Sequence, residues 1–92
     1  MVYVLAKLKV DSYDRWKTFF EERSATREEM GSKEAHLFRN SDDPHDVVIL
    51  FDWDSKVNAR KYMESEELKQ YLQNAGAEII KITYLDKQEK SI

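Results

Sequence analysis

The side chains able to do chemistry in this chain of 92 residues are few, and they sit in two kinds of place. His36 stands between Ala35 and Leu37, on the strand face shared with Phe38. A near-neutral imidazole there could take a proton from a phenol, or could be a hydrogen-bonded structural histidine. Asp52 lies between Phe51 and Trp53. If buried, its carboxylate could act as a base; pairing with a lysine or arginine of a neighbouring strand or subunit is the favoured reading. Trp16, Phe20, Trp53 and Tyr62 are the aromatics expected to line any cleft, and at helical and strand spacings they are core first. His45 lies among Asp42, Asp43 and Asp46, an oxygen-rich group without the glycine and alternating ligands of a calcium loop, so a solvated hairpin tip and no metal are expected. With no cysteine, there is no thiol nucleophile, disulfide or thiolate metal site. No Gly-rich phosphate loop, nucleophile elbow or zinc motif occurs.

The elements that must hold these residues follow from periodicity. Asp46 to Asp54 contains the one run of five bulky apolar residues. In a strand, Val47, Ile49, Phe51 and Trp53 share one face, and Val48 and Leu50 precede Asp52 on the other. A strand apolar on both parities belongs to a sheet covered on both sides. Val2, Val4, Ala6, Leu8 and Val10 alternate with Tyr3, Leu5, Lys7 and Lys9 as a first strand within Met1 to Val10. A helix capped by Asp11 or Ser12 is then expected to run to about Met30 and to stop at Gly31, with Trp16, Phe19, Phe20, Arg23 and Met30 on its apolar side. Lys33 to Asn40 reads as a weaker strand. The turn formers from Asn40 to Asp46 join it by a hairpin to the central strand. Asp54 or Ser55 caps a second helix, interrupted near Glu64-Ser65, where Ser65 can cap a continuation as far as Gly76. A last strand spans Glu78 to Leu85, and Asp86 to Ile92 form a polar tail. The charges from Lys56 to Lys69 read as a solvated helix face.

Composition narrows the function classes. One domain, 1–92, accounts for the length. Fifteen Lys and Arg against 18 Asp and Glu give a net charge of −3. An acidic domain without a basic cluster lacks the phosphate-neutralising surface that nucleic acid requires. No apolar run reaches the ~20 residues of a membrane span, and the N-terminus lacks a signal peptide's apolar block. A cytoplasmic protein with no nucleic-acid or membrane partner is expected.

The order β-α-β-β-α-β, with right-handed crossovers, places both helices on one face of a four-stranded antiparallel sheet, the ferredoxin-like α+β arrangement. The bare face predicts a homodimer in which two sheets pack face to face as a dimeric α+β barrel. On Asp42-Asp43-Pro44, Val47 to Phe51, Trp53-Asp54-Ser55, Ala59, Tyr62, Ser65, Gly76 and Ile79 to Leu85, the chain resembles the dimeric α+β barrel superfamily, and most closely its antibiotic-biosynthesis-monooxygenase-like members. The resemblance implies a homodimer with a small-molecule cleft between helices and sheet. It also implies, as one activity, cofactor-independent oxygenation of polycyclic phenols or quinols. The haem-degrading relatives carry an asparagine, an aromatic and a histidine at positions that fall here at about Ala6, Tyr62 and Leu72. Without imidazole at Leu72 there is no axial ligand, so haem degradation is not carried over and no cofactor is expected. Two alternatives remain: a non-catalytic dimeric structural or regulatory module, marked by a filled interior, and a monomeric domain docking another protein through its open sheet.

Overall fold

The computed structural model describes residues 2–88. Its elements in chain order are β1 (Val2–Val10), α1 (Tyr13–Glu22), α2 (Ser24–Met30), β2 (Ser32–Arg39), β3 (Asp46–Trp53), α3 (Lys56–Met63), α4 (Glu66–Asn74) and β4 (Ala77–Asp86). The strands form one antiparallel sheet in the order β2-β3-β1-β4, the ferredoxin-like α+β fold with each of the two helical segments divided in two. Residues 89–92 of the expected polar tail and Met1 of the expected first strand lie outside the described residues.

Parity decides the core. Val2, Val4, Ala6, Leu8 and Val10 of β1 and Val47, Ile49, Phe51 and Trp53 of β3 are all buried beneath the helices. Trp16, Ala59, Tyr62, Leu68 and Leu72 close over them from the helical side. The opposite face carries Tyr3, Leu5, Lys7 and Lys9 of β1, with Val48, Leu50 and Asp52 of β3 beside them. β4 pairs with β1 through an irregularity between Lys7 and Leu8, which leaves Ile80 exposed.

Capping sets the helix starts. Ser12, Ser55 and Ser65 each accept, through the side-chain oxygen, a backbone N–H three residues on, from Arg15, Asn58 and Leu68. The interruption expected at Glu64-Ser65 is present. The single helix expected to Met30 is not: it breaks at Arg23. A side-chain contact within the segment accompanies the break. Arg27 Nη1 donates to the Phe20 carbonyl (2.8 Å), the acceptor that the next turn of an uninterrupted helix would use, and Arg23 N–H turns back onto the same oxygen (3.3 Å). Gly31 then ends α2 at φ 118°, a conformation that favours glycine.

The hairpin loop is largely exposed, as expected, and is also bonded to β1. Val10 N–H donates to the His45 carbonyl (2.8 Å), and His45 Nδ1 lies 2.9 Å from the Val10 carbonyl oxygen. The loop is thereby fastened to the end of β1.

Candidate functional site

Helices α3 and α4 lean on β4 around a cleft of about 700 Å³. Its polar lip is formed by Glu64, Glu66, Lys69, Gln73 and Glu78, and its floor by Met63, Leu72, Ile79 and Ile82. Met63, Leu72 and Ile79 also line a small inner cavity of about 30 Å³ between helices and sheet, bounded by Ala6, Phe20, Phe51 and Tyr62. Cleft and cavity therefore share a wall of three side chains, one of them the unbranched and adaptable Met63. The outer cleft has a volume typical of small-molecule sites.

The four aromatics expected at a cleft are brought to the helical side of the sheet. Trp16 packs on Phe20 with ring centroids 5.1 Å apart, Phe20 lies 6.2 Å from Phe51, and Trp53 lies 5.5 Å from Tyr62. Phe20 and Tyr62 border the cavity directly. Trp16 and Trp53 are more deeply buried, and the Trp53 indole N–H has no hydrogen-bond partner among the described residues.

His36 and Asp52 are not brought to this site. His36 lies opposite Leu50 across the β2–β3 ladder, and Asp52 lies opposite Tyr3 and Glu34, all on the face without helices. His36 is exposed, with Nε2 3.3 Å from Glu34 Oε2. Asp52 is 9% exposed, and its Oδ1 is buried without a partner among the described residues. The pairing favoured for it is thus not made with a neighbouring strand of the same subunit.

Two carboxylates at the α3–α4 junction, Glu64 of the lip and Glu67 beside it, do more than face solvent. Glu64 accepts the Tyr84 hydroxyl (2.8 Å), tying the end of α3 to β4, while Arg60 stacks on the Tyr84 ring and lies 3.4 Å from Glu64. Burial, together with the Glu64 carboxylate, pushes the Tyr84 phenol up to about 12. Glu67 pairs with Arg23 (3.3 Å), whose guanidinium stacks on Tyr71 and Tyr62. Tyr71 donates its hydroxyl to the Phe19 carbonyl (2.8 Å); burial, reinforced by Glu22, raises its pKa.

Arg27 was not singled out from the sequence. It is 5% exposed, and its guanidinium lies 3.9 Å from the centre of the Phe20 ring. Burial pulls its pKa down, with Tyr62 acting in the opposite sense. The signal was present in the numbering. Residues 16, 20, 23, 27 and 30 fall on one helical stripe, so Arg27 belongs to the apolar side.

The residues around the cavity do not suit haem. Ala6 and Leu72 present only hydrocarbon to it, and Tyr62 packs against Trp53 beneath Arg23. Among the described residues no group of three or more His, Cys, Asp or Glu side chains is arranged to hold a metal ion, and no helix is long and apolar enough to cross a membrane.

The ferredoxin-like α+β fold, with a cleft between helices and sheet, defines the structural class. The antibiotic biosynthesis monooxygenase family model matches residues 1–74, and the chain belongs to that family. Its fold is similar to that of SnoaB, a cofactor-independent oxygenase from Streptomyces nogalater, with a TM-score of 0.77 at 13% identity over 97% of this chain and 94% of that one. It is also similar to a family member from Bordetella bronchiseptica, with a TM-score of 0.78 at 13% identity over 96% and 97% of the two chains. A third, from Deinococcus radiodurans, has a TM-score of 0.69 at 19% identity over 100% and 97%. No curated protein matches the sequence at a significant level.

Proposed function

We propose that this protein is a homodimeric α+β barrel that binds a small apolar or aromatic molecule between its helices and sheet, and oxygenates it without a bound cofactor. The observation that carries the reading is the cleft of about 700 Å³ whose apolar floor is shared with an aromatic-walled cavity. SnoaB, of the same fold, is a cofactor-independent oxygenase. The dimer is supported by the uncovered sheet face, where Leu5, Phe38 and Leu85 are exposed beside the unpartnered Asp52 carboxylate.

The reaction fitting such a site starts from an electron-rich phenol in its ionised form. Dioxygen supplies both oxygen atoms: one becomes a new ring carbonyl, and the other leaves as water with the hydroxyl and ring hydrogens. The chain's part is to hold the anion on the apolar floor of Met63, Leu72, Ile79 and Ile82 and away from bulk water. His36 and Asp52 would face the partner sheet, not this cleft, so the substrate's proton is lost before binding or to solvent at the lip.

Oxygen uptake tests the reading. With 1,5-dihydroxynaphthalene as probe, the full chain should consume oxygen saturably above the buffer rate, and Ile79→Trp, which obstructs the wall between cleft and cavity, should abolish the excess. Uptake at the buffer rate from an intact dimer would count against the oxygenase reading and favour a non-catalytic dimeric module. The small volume of the inner cavity favours that second reading.

A further inference from the structure

A second cleft, of about 570 Å³, opens between α2 and β2, away from the α4–β4 cleft. Arg27, Ser32, Phe20 and Ala35 line it. Arg27 and Ser32 are buried. A guanidinium carries five N–H donors and a full charge. Here one donor is spent on the Phe20 carbonyl (2.8 Å), and no carboxylate lies within 4.0 Å among the described residues. A buried cation without a counter-charge is costly, which makes an anionic ligand favourable beside it.

The acceptors nearby are neutral. The Tyr62 hydroxyl serves both Arg27 and Arg23, and Ser32 adds a hydroxyl to the cleft lining. Trp53 Nε1 and Arg23 Nε are both buried with no partner among the described residues. Beneath α2 two guanidiniums and an indole N–H therefore share few oxygens, and the one carboxylate among them, Glu67, pairs with Arg23. We infer that the α2–β2 cleft is an oxyanion site, in which the guanidinium of Arg27 receives the carboxylate of a small organic acid.

The rim sharpens the class. Glu21, Glu28 and Glu34 stand exposed at the mouth, beside Lys33 and His36. Three exposed carboxylates disfavour a polyanion but leave a single carboxylate acceptable once it is paired with Arg27. Phe20 and Ala35 offer an apolar wall for the acid's body. The ligand is thus an aryl or alkyl monocarboxylate, held at its charged end by a planar fork. This site borders the cavity of the oxygenase reading through Phe20, but its ligand and its readout are separate from that reading.

Benzoate and its neutral isostere benzamide are the probes, titrated into the isotopically labelled full chain while the arginine Nε–H signals are followed by NMR. Benzoate should shift the Arg27 signal saturably, with affinity at least tenfold above benzamide. Arg27→Gln should remove that preference, and Arg27→Lys, which keeps the charge but not the fork, should restore it only in part. Equal affinities for the two probes, or saturation by benzoate with the Arg27 signal unmoved, would overturn the assignment, and so would no binding of benzoate. Should Arg27→Gln fail to fold, the wild-type signals decide alone.

Discussion

The two faces of one sheet, built from alternate residues of the same strands, have been put to opposite uses. On the helical face of β3, Val47, Ile49, Phe51 and Trp53 are sealed; one residue along, Val48, Leu50 and Asp52 look out from a face with no helix on it. The outer face is not a generic polar surface. Across the ladder, Leu5 stands opposite Leu50 and Phe38 opposite Val48, and the lysines of β1 fall at positions 7 and 9, towards one end. The difference teaches that burial within the subunit and apolar character are separate quantities here. The first marks the fold, and the excess of the second is the ground on which a dimer is proposed.

The largest effect should come from the sealed face. Trp53→Ala removes a wholly buried indole and its packing on Tyr62, and should destabilise the fold by about 3–5 kcal/mol, much of a small domain's stability. Leu50→Ala, three positions earlier on the outer face, should cost much less at low concentration, and its cost should grow as the protein is concentrated. Denaturant midpoints of both variants over a range of concentrations check this. Equal, concentration-independent losses would erase the distinction between the faces.

A smaller effect concerns the tie between α3 and β4. The Tyr84 phenol is raised to about 12 in the fold, against about 10 for an unstructured tyrosine. The protonated form is favoured by folding, so the stability it brings is complete below about pH 10 and is lost as pH rises towards 12. Tyr84→Phe should therefore flatten part of the decline in stability above about pH 10, while costing stability at neutral pH. Denaturation at a series of alkaline pH values measures it, and an unchanged slope would show that the tie to Glu64 is not made.

The smallest expected effect is none at all. Hemin titrated into the protein should give no sharp one-to-one endpoint in the Soret band, because the cavity positions at Ala6 and Leu72 offer no axial donor. A one-to-one endpoint lost in Tyr71→Phe or His36→Ala would restore haem as a ligand.

Much of this was legible in the sequence. Two-residue periodicity in Val2–Val10 and the run from Val47 to Trp53 fixed both faces, and three serines in front of amphipathic stretches marked the helix starts. What stayed hidden depends on which side chain meets which partner. The break at Arg23 is accompanied by a side chain one turn later taking a backbone carbonyl, which local propensity does not encode. Arg27 was not placed on the apolar side with Arg23, although its position on the Trp16–Phe20–Arg23 stripe implied burial. His36 and Asp52 were recognised as titratable, and their parity placed them on the same face as Phe38 and Leu50, away from the aromatic cluster. Spacing could show that much. Whether a second subunit covers them is a matter of assembly.

Sedimentation equilibrium at micromolar concentration tests that central claim most directly. The wild-type protein should have the mass of two 11.0 kDa chains. Leu50→Lys, which sets a charge in the middle of the outer face, should fall to the mass of one chain with its helical circular dichroism retained, or become insoluble. A wild-type mass of a single chain would contradict the account, since the apolar outer face would then have no second copy to cover it.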